Sequence, residues 1–193
     1  MTSATSTTPL TATRLIYVMG PSGAGKDTLL GYARARLASE GVVFAHRYIT
    51  REDGGPENHI ALTDAEFEAR STRGLFALQW RSHALRYGIG VEIDQWLALG
   101  CTVVVNGSRA YVNDALARYP RMTLVHVEAA PHVLAARLAS RARETPEQVA
   151  ARLARRAPFE VPAGASFTRI DNSGRLDEAG TAFVRAVQRV ALD

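Results

Sequence analysis

A glycine-rich segment, Gly20-Pro21-Ser22-Gly23-Ala24-Gly25-Lys26-Asp27-Thr28, separates an apolar run from an amphipathic one. The apolar run, residues 15–19, is typical of a buried strand. After the glycines, the apolar residues follow helical spacing, namely Leu29, Leu30, Ala33 and Leu37. A strand, a glycine-rich turn and a helix in this order are the context in which G-x-x-x-x-G-K forms a phosphate-binding loop, or P-loop. We therefore predict that residues 20–28 bind the phosphates of a nucleotide.

The chemistry of this loop follows from its residue types. Glycines allow backbone N–H groups to curl around phosphate oxygens without side-chain clashes, and the N-terminus of the next helix adds a positive dipole end. Lys26 can place a compact ammonium group against the outer phosphates, where we expect it to act in catalysis. Lys26 is also the only lysine of the chain. An arginine-rich composition could leave one lysine by accident, but its place in the loop favours a function.

Asp27 departs from the usual P-loop pattern. The residue after Gly-Lys is normally Ser or Thr, whose hydroxyl binds magnesium, whereas here Thr28 comes one position later. Asp27 could bind the metal directly or through water, because magnesium accepts carboxylate oxygens. Alternatively, the helix dipole alone favours an acidic residue in a first helical turn. The sequence leaves both interpretations open.

Composition limits the class of protein. The chain has 193 residues, of which 47% are apolar and 22% charged, as in ordinary globular domains. We predict a single domain over residues 14–193, preceded by a disordered Thr/Ser/Ala-rich tail over residues 1–13. The net charge of +4 suits anionic substrates. No basic tract interleaved with aromatics is present, so we do not expect nucleic-acid binding.

Two further features concern the cellular setting. No apolar stretch approaches the roughly 20 residues that span a bilayer, so no membrane association is expected. Cys101 is the single cysteine, which excludes an internal disulfide and fits the reducing cytoplasm. Its place at the start of an apolar run indicates a small core residue rather than a nucleophile.

Strands alternate with helices along the rest of the chain, which predicts an α/β fold with a doubly wound parallel sheet. The predicted strands are residues 42–50, 102–105, 122–127 and 167–170. The predicted helices are residues 63–69, 91–99, 131–143, 145–156 and 176–190, and a hairpin is expected at 75–80 and 84–87. Residues 106–109 would lie at the C-terminal edge of the sheet, where such folds bind ligands. Residues 42–90 show a different sequence pattern from the rest of the chain and are predicted to form a lobe over the site of the second substrate.

Several motifs make the chain resemble the nucleoside monophosphate kinases, guanylate kinase in particular, over nearly all residues after Thr13. They are the P-loop, Ile49-Thr50-Arg51, Leu62-Thr63-Asp64-Ala65-Glu66-Phe67, Tyr87-Gly88, and the spacing of Arg137, Arg141 and Arg152. The resemblance implies a P-loop kinase fold. It also implies that these three arginines surround the transferring phosphate, and that a lid over residues 141–157 closes on the nucleotide.

The departures from guanylate kinase are equally specific. Gln79 stands where that family has a Glu that reads guanine, His59 replaces a Tyr, Gly54 replaces an Arg, and Val104-Val105-Asn106 replaces Asp-x-Asp. Together with Lys26-Asp27, Glu57-Asn58-His59 and Val105-Asn106-Gly107-Ser108-Arg109, this pattern resembles the ribose 1,5-bisphosphate phosphokinases of phosphonate catabolism. The resemblance implies ATP as co-substrate, Mg²⁺, and a phosphorylated sugar as acceptor, and it is compatible with a homodimer. The expected acceptor-binding residues are Arg47, Arg51, His59, Tyr87, Asn106 and Arg109.

Other interpretations of the same residues stay open. The chain could be a true guanylate kinase, or a small-molecule kinase acting on a hydroxyl with Asp53 or Asp94 as the base. It could also be a non-catalytic binding module, although such a module needs neither Lys26 nor the arginine set. His59 could be a surface histidine, and Asn106 and Arg109 could cap the following helix. Arg143, Arg155 and Arg156 are expected on a solvated helical face.

Overall fold

The computed structural model describes residues 14–51, 58–82, 84–139 and 159–192. Within these ranges the strands are β1 (Leu15–Met19), β2 (Val42–Phe44), β3 (Arg47–Ile49), β4 (His59–Ala61), β5 (Phe76–Ser82), β6 (Leu85–Gly90), β7 (Thr102–Asn106), β8 (Thr123–Glu128) and β9 (Ser166–Asp171). The helices are α1 (Lys26–Leu37), α2 (Asp64–Thr72), α3 (Glu92–Ala98), α4 (Val112–Arg118), α5 (Pro131–Ala139) and α6 (Leu176–Leu192), with a 3-10 turn at Arg109–Tyr111 before α4.

The central sheet has the strand order β2-β7-β1-β8-β9, and every pairing in it is parallel. Each residue of β1 is fully buried, because helices cover both faces of the sheet. Ile16, Val18 and their neighbours pack on one face against α1, α5 and α6. Leu15 and Tyr17 pack on the other face against α3, α4 and residues of a second sheet. The prediction of a doubly wound parallel sheet is confirmed.

The second sheet has the order β4-β3-β6-β5 and shows where the sequence prediction was wrong. Residues 42–50 were predicted as one strand, but β2 belongs to the central sheet and β3 to the second. The chain leaves the central sheet after Ala45, whose N–H still donates to the Val104 carbonyl at 2.9 Å. Asn58 Nδ2 then donates to the carbonyls of Phe44 and Ala45 at 3.3 and 3.5 Å, which satisfies the backbone at the break. The three-residue strand β4 was not predicted.

Most other element predictions are confirmed. The hairpin is β5 and β6, paired antiparallel. At the start of α2, Thr63 and Glu66 form both hydrogen bonds of the capping box. After α3, Gly100 takes a left-handed φ of 82°, which ends the helix as predicted. The predicted tail over residues 1–13, the end of the helix at 131–143 and the helix at 145–156 lie outside the described residues.

One further finding concerns membranes. Among the described residues, no helix is both long enough and apolar enough to cross a bilayer.

Candidate active site

The P-loop turns tightly between β1 and α1, and two of its glycines are required by their surroundings. Gly20 has a φ of 153°, and a Cβ there would lie 2.0 Å from the Val127 carbonyl oxygen. Gly25, the N-cap of α1, has a left-handed φ of 82°, and a Cβ there would lie 2.4 Å from Asn172 Nδ2. Side chains at either position would push the loop away from the end of the sheet, so the loop can approach a ligand with its backbone.

Lys26 lies directly over this loop. Its Nζ donates to the carbonyls of Gly20 and Pro21 at 2.9 and 3.1 Å. The ammonium group therefore sits at the mouth of the loop and at the start of α1, where a phosphate chain bound by the N–H groups would pass. The contact with phosphate that the motif predicts for Lys26 stays a prediction.

Asn172 holds the P-loop from behind and was not identified from the sequence. The side chain is 2% exposed, and Nδ2 donates to the Ala24 carbonyl at 2.8 Å. Its backbone N–H donates to the Glu128 carbonyl, also at 2.8 Å, which ties it to the end of β8. Arg137, predicted to be catalytic, reaches the same Ala24 carbonyl from α5, with Nη1 at 3.5 Å. The structure therefore brings Arg137 to the P-loop.

Asp27 links α1, the helix that follows the P-loop, to both sheets. Its Oδ1 accepts from Asn106 Nδ2 at 2.8 Å, at the end of β7. The same oxygen forms an ion pair with Arg47 Nη2 of β3 at 3.3 Å. Because the carboxylate can only accept, the amide of Asn106 must turn its NH₂ group toward it. Asp27 is thus held by two predicted acceptor-site residues rather than pointing into solvent.

The side-chain oxygen of Asn106 has properties that suit a cation. Asn106 is 6% exposed, and its Oδ1 has no hydrogen-bond partner among the described residues. A buried amide oxygen beside a carboxylate is the kind of ligand that Mg²⁺ prefers. In the described part of the chain, no group of three or more His, Cys, Asp or Glu residues could hold a metal. A cation here would therefore depend on substrate phosphates and water for its remaining ligands.

The loop after β7, which carries Arg109, is fixed by Tyr17. The hydroxyl of this fully buried tyrosine donates to the Ser108 carbonyl and accepts from the Ser108 N–H, both at 2.9 Å. A Cβ at Gly107 would lie 2.0 Å from the Tyr17 ring, so only glycine fits there. Burial raises the pKa of Tyr17 well above its ordinary value, so the hydroxyl remains a donor at every working pH. Arg109 begins the 3-10 turn, half-buried, immediately after this anchor.

The remaining predicted acceptor residues lie on the second sheet. His59 of β4 lies opposite Arg47 of β3 and is 9% exposed, so the surface-histidine interpretation is wrong. Tyr87 of β6 is half-buried beneath Arg47, whose guanidinium carbon lies 5.9 Å from the ring centre. Arg51 follows β3 and lines a pocket together with Thr50 and the start of α2. The structure thus groups Arg47, His59 and Tyr87 on the second sheet. Arg51 lies in the separate pocket beside α2.

Of four further residues predicted to take part in catalysis, the structure describes one. Arg141, Arg152 and Asp53 lie outside the described residues. Asp94, the other aspartate considered as a base, accepts from Arg118 Nη2 at 2.7 Å and also from the Tyr119 hydroxyl. Its carboxylate therefore ties α3 to α4.

Comparison with known proteins identifies the family. No protein-family model matches the chain. The ribose 1,5-bisphosphate phosphokinase of Burkholderia pseudomallei is 58% identical over 182 residues, which cover 94% of this chain and 99% of that protein. The chain belongs to the ribose 1,5-bisphosphate phosphokinase family. Proteins of the same name from Thiobacillus denitrificans and Achromobacter xylosoxidans are 54% and 50% identical and cover 89% and 91% of the chain.

Solved structures establish the fold independently. The guanylate kinase of Anaplasma phagocytophilum superposes with a TM-score of 0.67 over 93% of this chain and 86% of its own, at 12% identity. A sugar kinase from Janibacter matches with a TM-score of 0.53 and 20% identity, over 91% of this chain and 94% of that one. At these identities the likeness concerns the fold alone. It confirms the P-loop kinase fold, while the family membership favours the phosphokinase interpretation over guanylate kinase.

Proposed function

We propose that the protein transfers the γ-phosphoryl group of ATP to the C1 phosphate of ribose 1,5-bisphosphate, giving 5-phosphoribosyl 1-diphosphate and ADP. The family membership supports this proposal, since the relatives carry the name of that activity. The observation that carries it in the structure is the convergence of cationic side chains on the edge of the central sheet. Lys26 and Arg137 lie at the P-loop, and Arg47 pairs with Asp27 beside it.

The contacts of two aspartate carboxylates also favour a phosphate over a hydroxyl as the acceptor group. A hydroxyl acceptor needs a base to remove its proton, whereas a phosphate acceptor is already an anion. Asp94, the described candidate for such a base, is instead bound by Arg118 and Tyr119. Asp27 is bound by Arg47 and Asn106. Side chains that neutralise charge are therefore present at the site, while both of these carboxylates already form ion pairs with arginines.

The proposed reaction needs alignment and charge neutralisation more than acid–base chemistry. An oxygen of the C1 phosphate attacks the γ-phosphorus, and the bond from that phosphorus to the β–γ bridging oxygen breaks as ADP leaves. Lys26 and Arg137 stabilise the charge that spreads over the γ-phosphoryl oxygens. Arg47, Arg51 and Arg109 hold the two acceptor phosphates by charge-assisted hydrogen bonds. His59, Tyr87 and Asn106 complete the acceptor site.

Magnesium is part of the proposal because the residues present fit it. Asp27 and the buried Oδ1 of Asn106 would hold the ion together with nucleotide phosphates and water. When bound, the ion neutralises charge on the β- and γ-phosphates. Arg47 balances the carboxylate charge of Asp27 and so keeps it oriented toward Asn106.

The remaining sequence predictions extend this proposal. We place Arg141 and Arg152 in a lid over residues 141–157 that closes on the nucleotide and excludes water, which limits ATP hydrolysis. The single-domain organisation, a homodimer and the cytoplasm as the site of action stay predictions.

The test is to offer the protein magnesium-ATP with ribose 1,5-bisphosphate, GMP or gluconate in separate reactions and to identify the product by phosphorus NMR. We expect a diphosphate at ribose C1. It should form at least about a hundredfold more efficiently than GDP from GMP, because a site that lacks hydrogen-bond partners for the purine edge discriminates strongly against the nucleotide. Arg51→Ala should raise the KM for the sugar, whereas Arg185→Ala, which removes an exposed arginine of α6, should not. GDP formation at a comparable rate would contradict the proposed function and indicate a guanylate kinase.

A further inference from the structure

Three aromatic rings form a continuous stack beside the proposed acceptor site. The rings of Tyr87 and Trp80 lie 5.4 Å apart at an interplanar angle of 4°. The rings of Trp80 and Tyr111 lie 5.8 Å apart at 27°. The guanidinium carbon of Arg47 lies 5.9 Å from the Tyr87 ring centre, beyond one end of the stack. We call Tyr87, Trp80 and Tyr111 the aromatic stack, with Trp80 as its middle ring.

The two ends of the stack belong to different sheets. Trp80 and Tyr87 are directly opposite each other in the antiparallel hairpin of the second sheet, where facing aromatic side chains stack. Tyr111 ends the 3-10 turn that follows β7 of the central sheet. That turn is anchored through Ser108, both of whose backbone groups bond the Tyr17 hydroxyl. The contact between Trp80 and Tyr111 therefore joins a hairpin of one sheet to a fixed loop of the other.

Each end of the stack is connected to an element that carries one of the arginines assigned to the acceptor. Arg47 lies at the Tyr87 end, and it also forms the ion pair with Asp27 at 3.3 Å. Arg109 begins the same 3-10 turn that Tyr111 ends. The stack thus runs from the ring beside Arg47 to the turn that carries Arg109. Aromatic rings hold the distance between two such elements well, because they are rigid and have only two side-chain torsions to restrict.

We propose that Trp80 is a positioning residue that fixes the spacing of Arg47 and Arg109 and thereby selects an acceptor with two phosphate groups over one with a single phosphate. The proposal rests on the proposed function, since it assumes a doubly phosphorylated sugar. Trp80 suits this task because the indole is large enough to contact Tyr87 and Tyr111 together. It is half-buried against the core between the two sheets, so its position is fixed by packing as well as by stacking.

The test compares Trp80→Leu with Trp80→Phe, and it uses Trp96→Leu as the matched control. Trp96 of α3 is likewise half-buried against the same core, but it belongs to no ring pair in the described part of the chain. Losing an indole there costs similar packing and leaves the stack intact. For each variant we would measure kcat, the KM values for ATP and for ribose 1,5-bisphosphate, and the inhibition constant of ribose 5-phosphate against the bisphosphate.

Trp80→Leu should raise the KM for the bisphosphate about 10-fold or more while the KM for ATP changes little, because misplacing a binding group by about 1 Å costs up to 100-fold. Its preference for the bisphosphate over the monophosphate should shrink by a similar factor. Trp80→Phe should stay within about threefold of the wild type, since it keeps a ring in the stack. Trp96→Leu should keep both KM values and the preference.

The outcomes separate this inference from the function on which it rests. If the wild type phosphorylates the bisphosphate and Trp80→Leu retains its preference, Trp80 does not set the spacing and the inference is overturned. Equal losses in Trp80→Leu and Trp96→Leu would assign the effect to packing alone and overturn it as well. If the wild type does not use the bisphosphate, the proposed function fails first and takes the inference with it.

Discussion

Replacing Gly25 by Ala should destabilise the fold through a contact that the structure defines. The new Cβ would lie 2.4 Å from Asn172 Nδ2, and Gly25 has a φ of 82°. A side chain in this left-handed conformation costs about 1–2 kcal/mol. Asn172 must also move, which breaks its 2.8 Å hydrogen bond to the Ala24 carbonyl in a buried site. Losing that bond costs about 1–3 kcal/mol, so the total is about 2–5 kcal/mol.

The second variant in this experiment is Asn172→Ala, which should itself cost about 1–3 kcal/mol for the same hydrogen bond. In the double variant that bond is lost only once, and the atom that blocks the new Cβ is gone. The two single costs should therefore exceed the cost of the double variant by about 1–3 kcal/mol. The measurement is urea unfolding followed by circular dichroism, with the free energy of unfolding obtained by linear extrapolation.

Gly41→Ala provides the control. Gly41 also has a left-handed φ, of 69°, but a Cβ there would meet no atom within 4 Å. It should cost only the backbone term of about 1–2 kcal/mol, and it should add to Asn172→Ala without coupling. If Gly25→Ala and Asn172→Ala add within about 0.5 kcal/mol, as independent sites do, the reasoning is refuted.

Three further predictions concern the loops of the site. Lys26→Ala should lose turnover by several orders of magnitude at an unchanged melting temperature, because the ammonium stabilises charge on the outer phosphates; near-normal turnover would contradict this role. Asp27→Asn should raise the magnesium concentration for half-maximal rate more than the ATP requirement; an unchanged magnesium requirement would mean that Asp27 does not hold the ion and serves the helix dipole and its contacts with Arg47 and Asn106. Tyr17→Phe should lower the free energy of unfolding by about 1–3 kcal/mol, since the Ser108 N–H and carbonyl lose their partner; unchanged stability would mean that Tyr17 does not anchor the loop.

The sequence was most informative where a local rule specifies both conformation and chemistry. The strand–loop–helix conformation of the P-loop, the capping box of α2 and the glycine after α3 each depend on neighbouring residues alone, and these three structural predictions are confirmed. Phosphate binding by the P-loop stays a prediction. The break at Ala45 could not be predicted, because residues 42–50 have the same β-forming composition on both sides. Only the pairing of β2 with β7 and of β3 with β6 separates them.

Functional residues, too, could be predicted only where a local rule identifies them. Asn172 could have been found, since it directly follows β9 at the C-terminal edge of the sheet, and the rule that pointed to Asn106 applies to it equally. The contact of Arg47 with Asp27 could not, because it joins positions 20 residues apart that lie on different elements. The stack of Trp80 with Tyr111 likewise depends on how the two sheets face each other, which no local pattern specifies.

The single lysine gives the proposed nucleotide site a spectroscopic label of its own. Growth on lysine labelled with nitrogen-15 would place an isotope-enriched side-chain nitrogen at only one position of this chain, Lys26. Its Nζ donates to the Gly20 and Pro21 carbonyls, and such hydrogen bonds slow the exchange of ammonium protons with water. One ammonium resonance would then report the state of the loop without a mutation or an attached dye. Among side chains, Lys26 is likewise the single primary amine of this chain that an amine-directed reagent could modify.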